Sequence, residues 1–404
     1  MTKKGILIIG AGGVSTVATT KCAMNIDTFE HITLASRTLN KCENIQKSIK
    51  EKLDITIDIT IVDADDTEAL IKLIKEINPK VVLNVALPYQ DLTIMDACSA
   101  TQTHYIDTAN YEHPDEAKFE YKEQWAKNDD FEKQNLTALL GSGFDPGVTG
   151  VFCKYAQENL FDTIEYIDIM DCNAGDHGYP FATNFNPEIN LREVSANGRY
   201  WERDDNGVGK WIETKPLEIR VDWDYPEIGV KPSYLLYHEE LESLSKNIKG
   251  LKRIRFFMTF GDAYIQHMNC LQNVGMLGIK EVEHKGQKII PIEFLATLLP
   301  DPASLGERTV GQTNIGCVIE GIKDGKRKKF YIYQICDHQE CYKETGAQAV
   351  SYTTGVPAMI GTKLIYNDTW DLKGAVNIEE FASKPFMDEM MTQGLPWKIK
   401  EMEV

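Results

Sequence analysis

The sequence predicts an α/β protein: an N-terminal doubly wound parallel sheet, followed by a second α+β domain containing a largely antiparallel sheet. Three observations carry this. Apolar strands alternate with amphipathic helices over residues 1–145, and a glycine-rich turn sits at the first strand–helix junction. After "GFDPGVTG", strands follow one another with few helices between them. Alternation with short connections implies right-handed crossovers and a parallel sheet, whereas successive strands pair antiparallel.

"ILIIG" is the first strand, and the helix after Gly13 is built from small residues. "HITLAS" is the second, and the next helix places Leu39, Cys42, Ile45, Ile49 and Leu53 on one face. "ITIDITIVDA" is the third, followed by a helix marked by Leu70, Leu73, Ile74 and Ile77. "KVVLNVA" is almost uninterruptedly apolar, as a strand covered on both faces requires. "THYIDTA" and "LTALLGSG" add two more, separated by a long polar helix around Trp125. From about Asp162 to Gln348, "TIEYIDIMD", "RIRFFMTF" and "KFYIYQICD" read as strands among Gly, Pro, Asn and aromatic residues. "TTGVPAMIGTKLI" restores helical spacing through Val356, Met359, Ile360 and Leu364, with Pro357 near its start. The expected domains are residues 1–145, completed by 350–404, and residues 146–349 for substrate binding and dimerisation. A sheet face without helical cover is expected to bury itself on a partner's equivalent face, giving a homodimer.

Charge narrows the partners. The 404 residues hold 43 Lys and Arg against 61 Asp and Glu, a net charge of −18. That disfavours nucleic acid, which needs a basic face, and suits a cationic substrate. The nine scattered cysteines read as reduced thiols. The N-terminus has no secretory pattern, and no stretch approaches the roughly 20 apolar residues of a membrane span. A cytoplasmic protein with no nucleic-acid or membrane partner is expected.

The first junction reads Gly10-Ala11-Gly12-Gly13-Val14-Ser15. Gly10 permits the tight turn and Gly12 a close approach to a pyrophosphate, while the helix after Gly13 offers N–H groups. Ser15, in place of the third glycine, is small enough to keep helix and strand close. This is the pattern of a Rossmann-type dinucleotide site. An NAD site usually places an acid after the second strand. Here Ser36, Arg37 and Thr38 match a 2′-phosphate, so NADPH is expected. Asp63 and Ala64 follow the third strand and are candidates for the adenine side, with helix capping an equal reading of "DADD". Asn84, Ala86, Pro88 and Tyr89 follow the fourth strand at the edge where ligands bind. Asp107 and Asp145 end later strands at the same edge and are catalytic candidates, with turn or cap roles as the alternative. "CDHQEC" lacks a second cysteine pair, so no metal site is expected.

Together "GAGGVS", "ASRT", "NVALPY", "YIDTANYE", "GSGFDPGVTG", "CDHQE" and "TTGVPAMIGTKL" resemble the saccharopine dehydrogenase-like family over nearly the whole chain. Within it the resemblance is to the polyamine-forming branch. That implies NADPH-dependent reductive condensation of L-aspartate β-semialdehyde with a diamine, putrescine or 1,3-diaminopropane. The product would be carboxyspermidine or carboxynorspermidine, in spermidine biosynthesis, by a homodimeric enzyme. Such chemistry asks for a carboxylate clamp, anions for the diamine and a proton shuttle. Arg192 and Arg199 are candidates for the clamp. Asp176, Glu193, Glu239 and Glu240 are candidates for the ammonium groups, and Trp201 or Tyr179 for stacking on a cation. His238 and His338 are the acid–base candidates. Each has an ordinary structural role as its alternative. A saccharopine reductase, a homospermidine synthase-like enzyme and a non-catalytic NADPH-sensing protein are the competing readings.

Overall fold

The computed structural model describes residues 3–113, 119–204 and 206–404. The first domain supplies β1 (Ile6–Ile9), β2 (Ile32–Ser36), β3 (Asp58–Ile61), β4 (Val81–Asn84), β5 (His104–Ile106) and β6 (Thr137–Leu140). The second supplies β7 (Thr163–Asn173), β8 (Gly198–Arg203), β9 (Gly209–Thr214), β10 (Arg220–Tyr225), β11 (Gly229–Leu236) and β12 (Arg253–Thr259). A small hairpin, β13 (Val282–His284) and β14 (Gln287–Ile289), precedes the long pair β15 (Gln312–Lys323) and β16 (Lys326–Asp337). Then come β17 (Gly374–Asn377) and β18 (Trp397–Glu401).

The first sheet runs β17-β6-β5-β4-β1-β2-β3 and is parallel throughout. After β1 the chain builds one side of the sheet and then returns to the other, so a crevice opens beyond the carboxyl ends of β1 and β4. The helix Gly13–Met24 packs on the late helix Ala349–Tyr366. Contact is so close that a Cβ on Gly355 would lie 2.6 Å from the Val17 Cβ. That helix begins earlier than its sequence suggested, because Ala349, Ser351 and Tyr352 are already buried. Pro357 therefore lies inside it rather than near its start.

The long helix expected around Trp125 is two short ones, Lys122–Trp125 and Asn128–Lys133. Their side chains serve as anchors for β17. The Trp125 indole donates to Asn377 Oδ1 (2.7 Å), and Asn128 Oδ1 accepts from the Ala375 N–H (3.1 Å).

The second sheet runs β10-β11-β12-β7-β15-β16-β18, with β8 pairing β12 and β9. Only β7 and β12 are parallel neighbours; the rest are antiparallel. One face sends Ile167, Ile169 and Phe256 into the main core with the helices Val148–Asn159 and Glu240–Asn247. The other face is a separate cluster of strand residues, including Met170, Phe257, Tyr331 and Tyr333. Its rim carries charge, with Arg255 donating twice to Asp168 (2.8 and 2.7 Å). The last strand departs from the expected division: Trp397–Glu401 joins the second sheet, not the first. Trp397 is drawn there by Tyr155 (ring centroids 5.1 Å apart) and by the Met387 carbonyl. All nine cysteines are free thiols, and no described helix is long and apolar enough to cross a membrane.

Candidate active site

A cleft of about 860 Å³ runs from the Gly10–Val14 turn to a basin walled by both domains. At its outer end Gly10 has φ +111°, and a Cβ there would lie 2.5 Å from the Val85 carbonyl oxygen. Gly12 is the reverse case: its missing Cβ would meet no protein atom within 4 Å. No side chain caps the helix Gly13–Met24, so its first N–H groups remain for an anion. Ser15 is buried and donates to the Gly10 carbonyl (2.6 Å), fixing the turn from beneath.

Gly13, Val14, Ser36, Arg37, Thr38 and Lys41 line this end. Lys41 escaped the sequence reading, although it stands one helical turn beyond Thr38. Two hydroxyls and two cations form a donor set that fits a 2′-phosphate. Asp63 lies off the wall, accepting from the Asp65 N–H (3.2 Å) and standing 3.9 Å from Arg37; Ala64 lines the cleft instead. Asn84 is buried behind it, accepting from the Ala86 N–H and donating to Asp91 and Tyr105. It shapes the turn that brings Ala86 and Pro88 to the wall. Tyr89 turns away and donates to Glu188 across the domain junction (3.3 Å).

The inner basin gathers Asp145, Asp171, Glu193, His238 and Glu239, with the amides Asn110, Asn173 and Asn190. His238 stacks on Phe256 (4.3 Å) and bonds Glu240 through Nδ1; Glu239 lies 3.5 Å from Nδ1 and Glu193 3.7 Å from Nε2. Burial opposes its charge, but these carboxylates prevail and hold it as imidazolium well above the ordinary histidine range. The potential ligand atoms of His238, Glu239 and Glu240 lie within 4.8 Å of one another, and the imidazolium is itself the cation among them. Burial pushes Glu193 up to about 8 and Asp171 up to about 6, and raises Glu239 as well. Asp145 is raised well above the usual range by burial and then by Asp171. Buried Asp145 Oδ2, Glu193 Oε1 and both Asn110 amide atoms have no hydrogen-bond partner in the protein. One imidazolium stands here against several carboxyls, an arrangement whose charge would suit a cation.

Other sequence candidates stand outside the cleft wall. His338 accepts from the Ala349 N–H at Nδ1 (3.2 Å), so Nε2 donates to Asn173 Oδ1 (3.0 Å). Burial lowers it to about 4, so it is a neutral prop for Asn173 rather than an acid. Asp107 accepts from the Gly141 N–H and from Gln124 (both 2.7 Å), holding the turn that carries Asp145. Arg192, expected in the clamp, is paired with Glu112 (2.9 Å) and Glu188 (2.8 Å). Arg199 lies over Trp211 (4.3 Å) and Tyr237 (4.8 Å), and Trp201 is core. Asp176 accepts from Gly178, and Tyr179 is 39% exposed beneath Arg308. Each was legible as charged or aromatic; the partner that occupies it was not.

Residues 6–139 match the saccharopine dehydrogenase NADP binding domain, and residues 143–395 the saccharopine dehydrogenase C-terminal domain. The chain is 53% identical over 392 residues to carboxyaminopropylagmatine dehydrogenase of Synechocystis sp., covering 97% of this chain and 96% of that protein. It is 39% identical over 408 residues to carboxynorspermidine synthase of Vibrio alginolyticus, covering 98% and 97%. Among solved structures, apo saccharopine dehydrogenase (L-Glu forming) of Saccharomyces cerevisiae shares the fold. Its TM-score is 0.72 at 14% identity, covering 99% of this chain and 100% of that one.

Proposed function

Since the chain belongs to the saccharopine dehydrogenase family and is an NADP-dependent oxidoreductase, we propose that it condenses L-aspartate β-semialdehyde with a dicationic aliphatic amine and reduces the product. The observation that carries this is the buried acidic basin opening directly off the dinucleotide cleft. NADPH, when bound, supplies the hydride. The turn at Gly10–Val14 holds its pyrophosphate, and Ser36, Arg37, Thr38 and Lys41 hold its 2′-phosphate. Glu193 and Glu239 neutralise the amine, while Asn110, Asn173 and His177 face the amino-acid end of the aldehyde. Saccharopine formation would need a cationic clamp for a second dicarboxylate. Among the described residues, the inner cleft wall offers only His177 and the already paired His238.

Two amines compete. The motif resemblance points to putrescine or 1,3-diaminopropane. The 53% identical relative favours agmatine, because a carboxyaminopropyl group on an amine is what aspartate β-semialdehyde leaves after condensation and reduction. NADPH oxidation with the semialdehyde and a panel of amines separates them. Agmatine or a diamine is expected to exceed butylamine at least about tenfold in kcat/KM, roughly 1.4 kcal/mol, because the monoamine leaves a buried carboxylate unpaired. Parity of butylamine with the best dication would sink the assignment, and no NADPH oxidation with any amine would favour a sensing role.

The helix-free face of the second sheet is proposed as the homodimer contact: its aromatic centre is buried among the sheet's own strands, and its charged rim suits a two-fold partner. Light scattering at micromolar concentration should give the mass of two chains; a single-chain mass refutes it.

A further inference from the structure

Joining an amine to an aldehyde moves one proton twice. An ammonium must lose a proton before its nitrogen attacks, and the carbinolamine hydroxyl must gain one before it leaves as water. Asp145 lies in the turn after β6 and Asp171 on β7, so one carboxyl from each side of the domain junction enters the same end of the cleft. Burial and the neighbouring Asp171 together hold Asp145 in its acid form, so the pair carries a proton. Asp145 Oδ2 is buried with no partner in the protein and is left for a ligand. Asp171 is out of character for its strand: β7 alternates, and the face that carries Ile167 and Ile169 into the core carries Asp171 and then Asn173 to the cleft.

The groups facing the pair are His238, Glu240 and Glu193, with the Cys172 and Cys317 thiols and the Tyr225 phenol behind. His238 cannot take over the task, since Nδ1 is committed to Glu240 and three carboxylates hold its proton.

We propose that Asp145 and Asp171 are a two-carboxyl proton relay for the condensation, taking the proton of the attacking ammonium and returning it to the leaving hydroxyl. This rests on the reductive condensation proposed above. The pair starts with one proton and accepts a second from the ammonium at Asp171. As the C–N bond forms and the carbonyl π electrons move to oxygen, Asp145 gives that oxygen a proton and receives one from the nitrogen. The pair then protonates the hydroxyl, the C–O bond breaks, water departs and the nitrogen lone pair closes the C=N bond. Proton balance is zero. The pair is again singly protonated, with its negative charge beside the iminium.

Asp171→Asn and Asp145→Asn test this. At neutral pH each should lower kcat about 100-fold or more, with the amine KM changed by less than about threefold. NADPH binding, read by fluorescence, should match wild type, and Asp171→Glu should recover part of the loss. The Asp171→Asn deficit should shrink as pH rises toward the amine's own pKa, where free amine needs no base. A deficit independent of pH, or a rise in KM alone, would overturn the relay. A second arm needs no turnover: wild-type-minus-variant infrared spectra of the NADP⁺ complex should show, beyond the bands of protonated Glu193 and Asp107, a protonated-carboxyl stretch lost in either Asn variant. Absence of that band in wild type overturns the shared proton. Should wild type consume no aldehyde–amine pair while the band is present, the condensation reading fails and the shared proton stands.

Discussion

Without a cationic ligand, the protein should lose roughly 2 kcal/mol or more of stability as pH rises from about 5 to 9. Burial pushes Glu193 and Asp107 up to about 8, Glu112 to about 7 and Asp171 to about 6. In the unfolded chain such groups ionise near pH 4. Across the interval between, the native state holds more protons than the unfolded one, so removing them costs native stability. His238 acts in the same direction. Its folded value is raised, so its contribution is complete below about 6.5 and fades as pH climbs through that raised value. Surface acids such as Glu30 and Asp54 are fully exposed and shifted the other way, and solvent screens them. Buried His338 and His104, both lowered to about 4, oppose this only below about 6.5. Melting curves should therefore fall most clearly from about pH 6.5 to 9, and agmatine or putrescine should flatten the fall by supplying the missing cation. A melting temperature that climbs over this interval would contradict the electrostatics of the basin.

Gly10→Ala should destroy both the turn and NADPH binding. Its φ of +111° is strained for any side chain, and the new Cβ would meet the Val85 oxygen at 2.5 Å and the Ala86 nitrogen at 2.7 Å. Both are backbone atoms, which cannot rotate away. Strain and overpacking together should cost about 2–5 kcal/mol, and the displaced turn should weaken NADPH at least about 100-fold. Gly12→Ala separates the two effects. Its Cβ meets no protein atom, so stability should stay within about 0.5 kcal/mol while the methyl intrudes on the dinucleotide. Thermal melts and fluorescence titration read both quantities. Wild-type NADPH affinity in Gly12→Ala would move the cofactor away from this turn.

The dinucleotide end was legible because its determinants are local: strand, glycine turn and helix follow one another within Ile6–Met24, and Ser36–Thr38 ends the adjacent strand. The basin was only half legible. Glu193, His238 and Glu239 stood out as polar residues in apolar surroundings, but their convergence depends on a helix and a strand end meeting across β12. Asp171 left a readable trace that was missed, an acid falling on the apolar phase of an alternating strand. The arginines misled for the converse reason. Arg192 meets Glu112 from the other domain and Arg199 meets Trp211 from the next strand, pairings that no short window contains.

The placement of β18 bears on handling the protein. The second sheet ends at β10 on one side, where Arg220, Asp222 and Asp224 are exposed and discourage a stranger's strand. At the other side β16 carries Tyr331, Tyr333 and Ile335 in alternation and has no charged residue from Phe330 to Cys336. The chain covers that flank with its own Trp397–Glu401. Clipping or displacing this segment, by proteolysis or a bulky carboxyl-terminal fusion, would leave a long adhesive border open to edge-to-edge aggregation, so tags belong at the amino terminus.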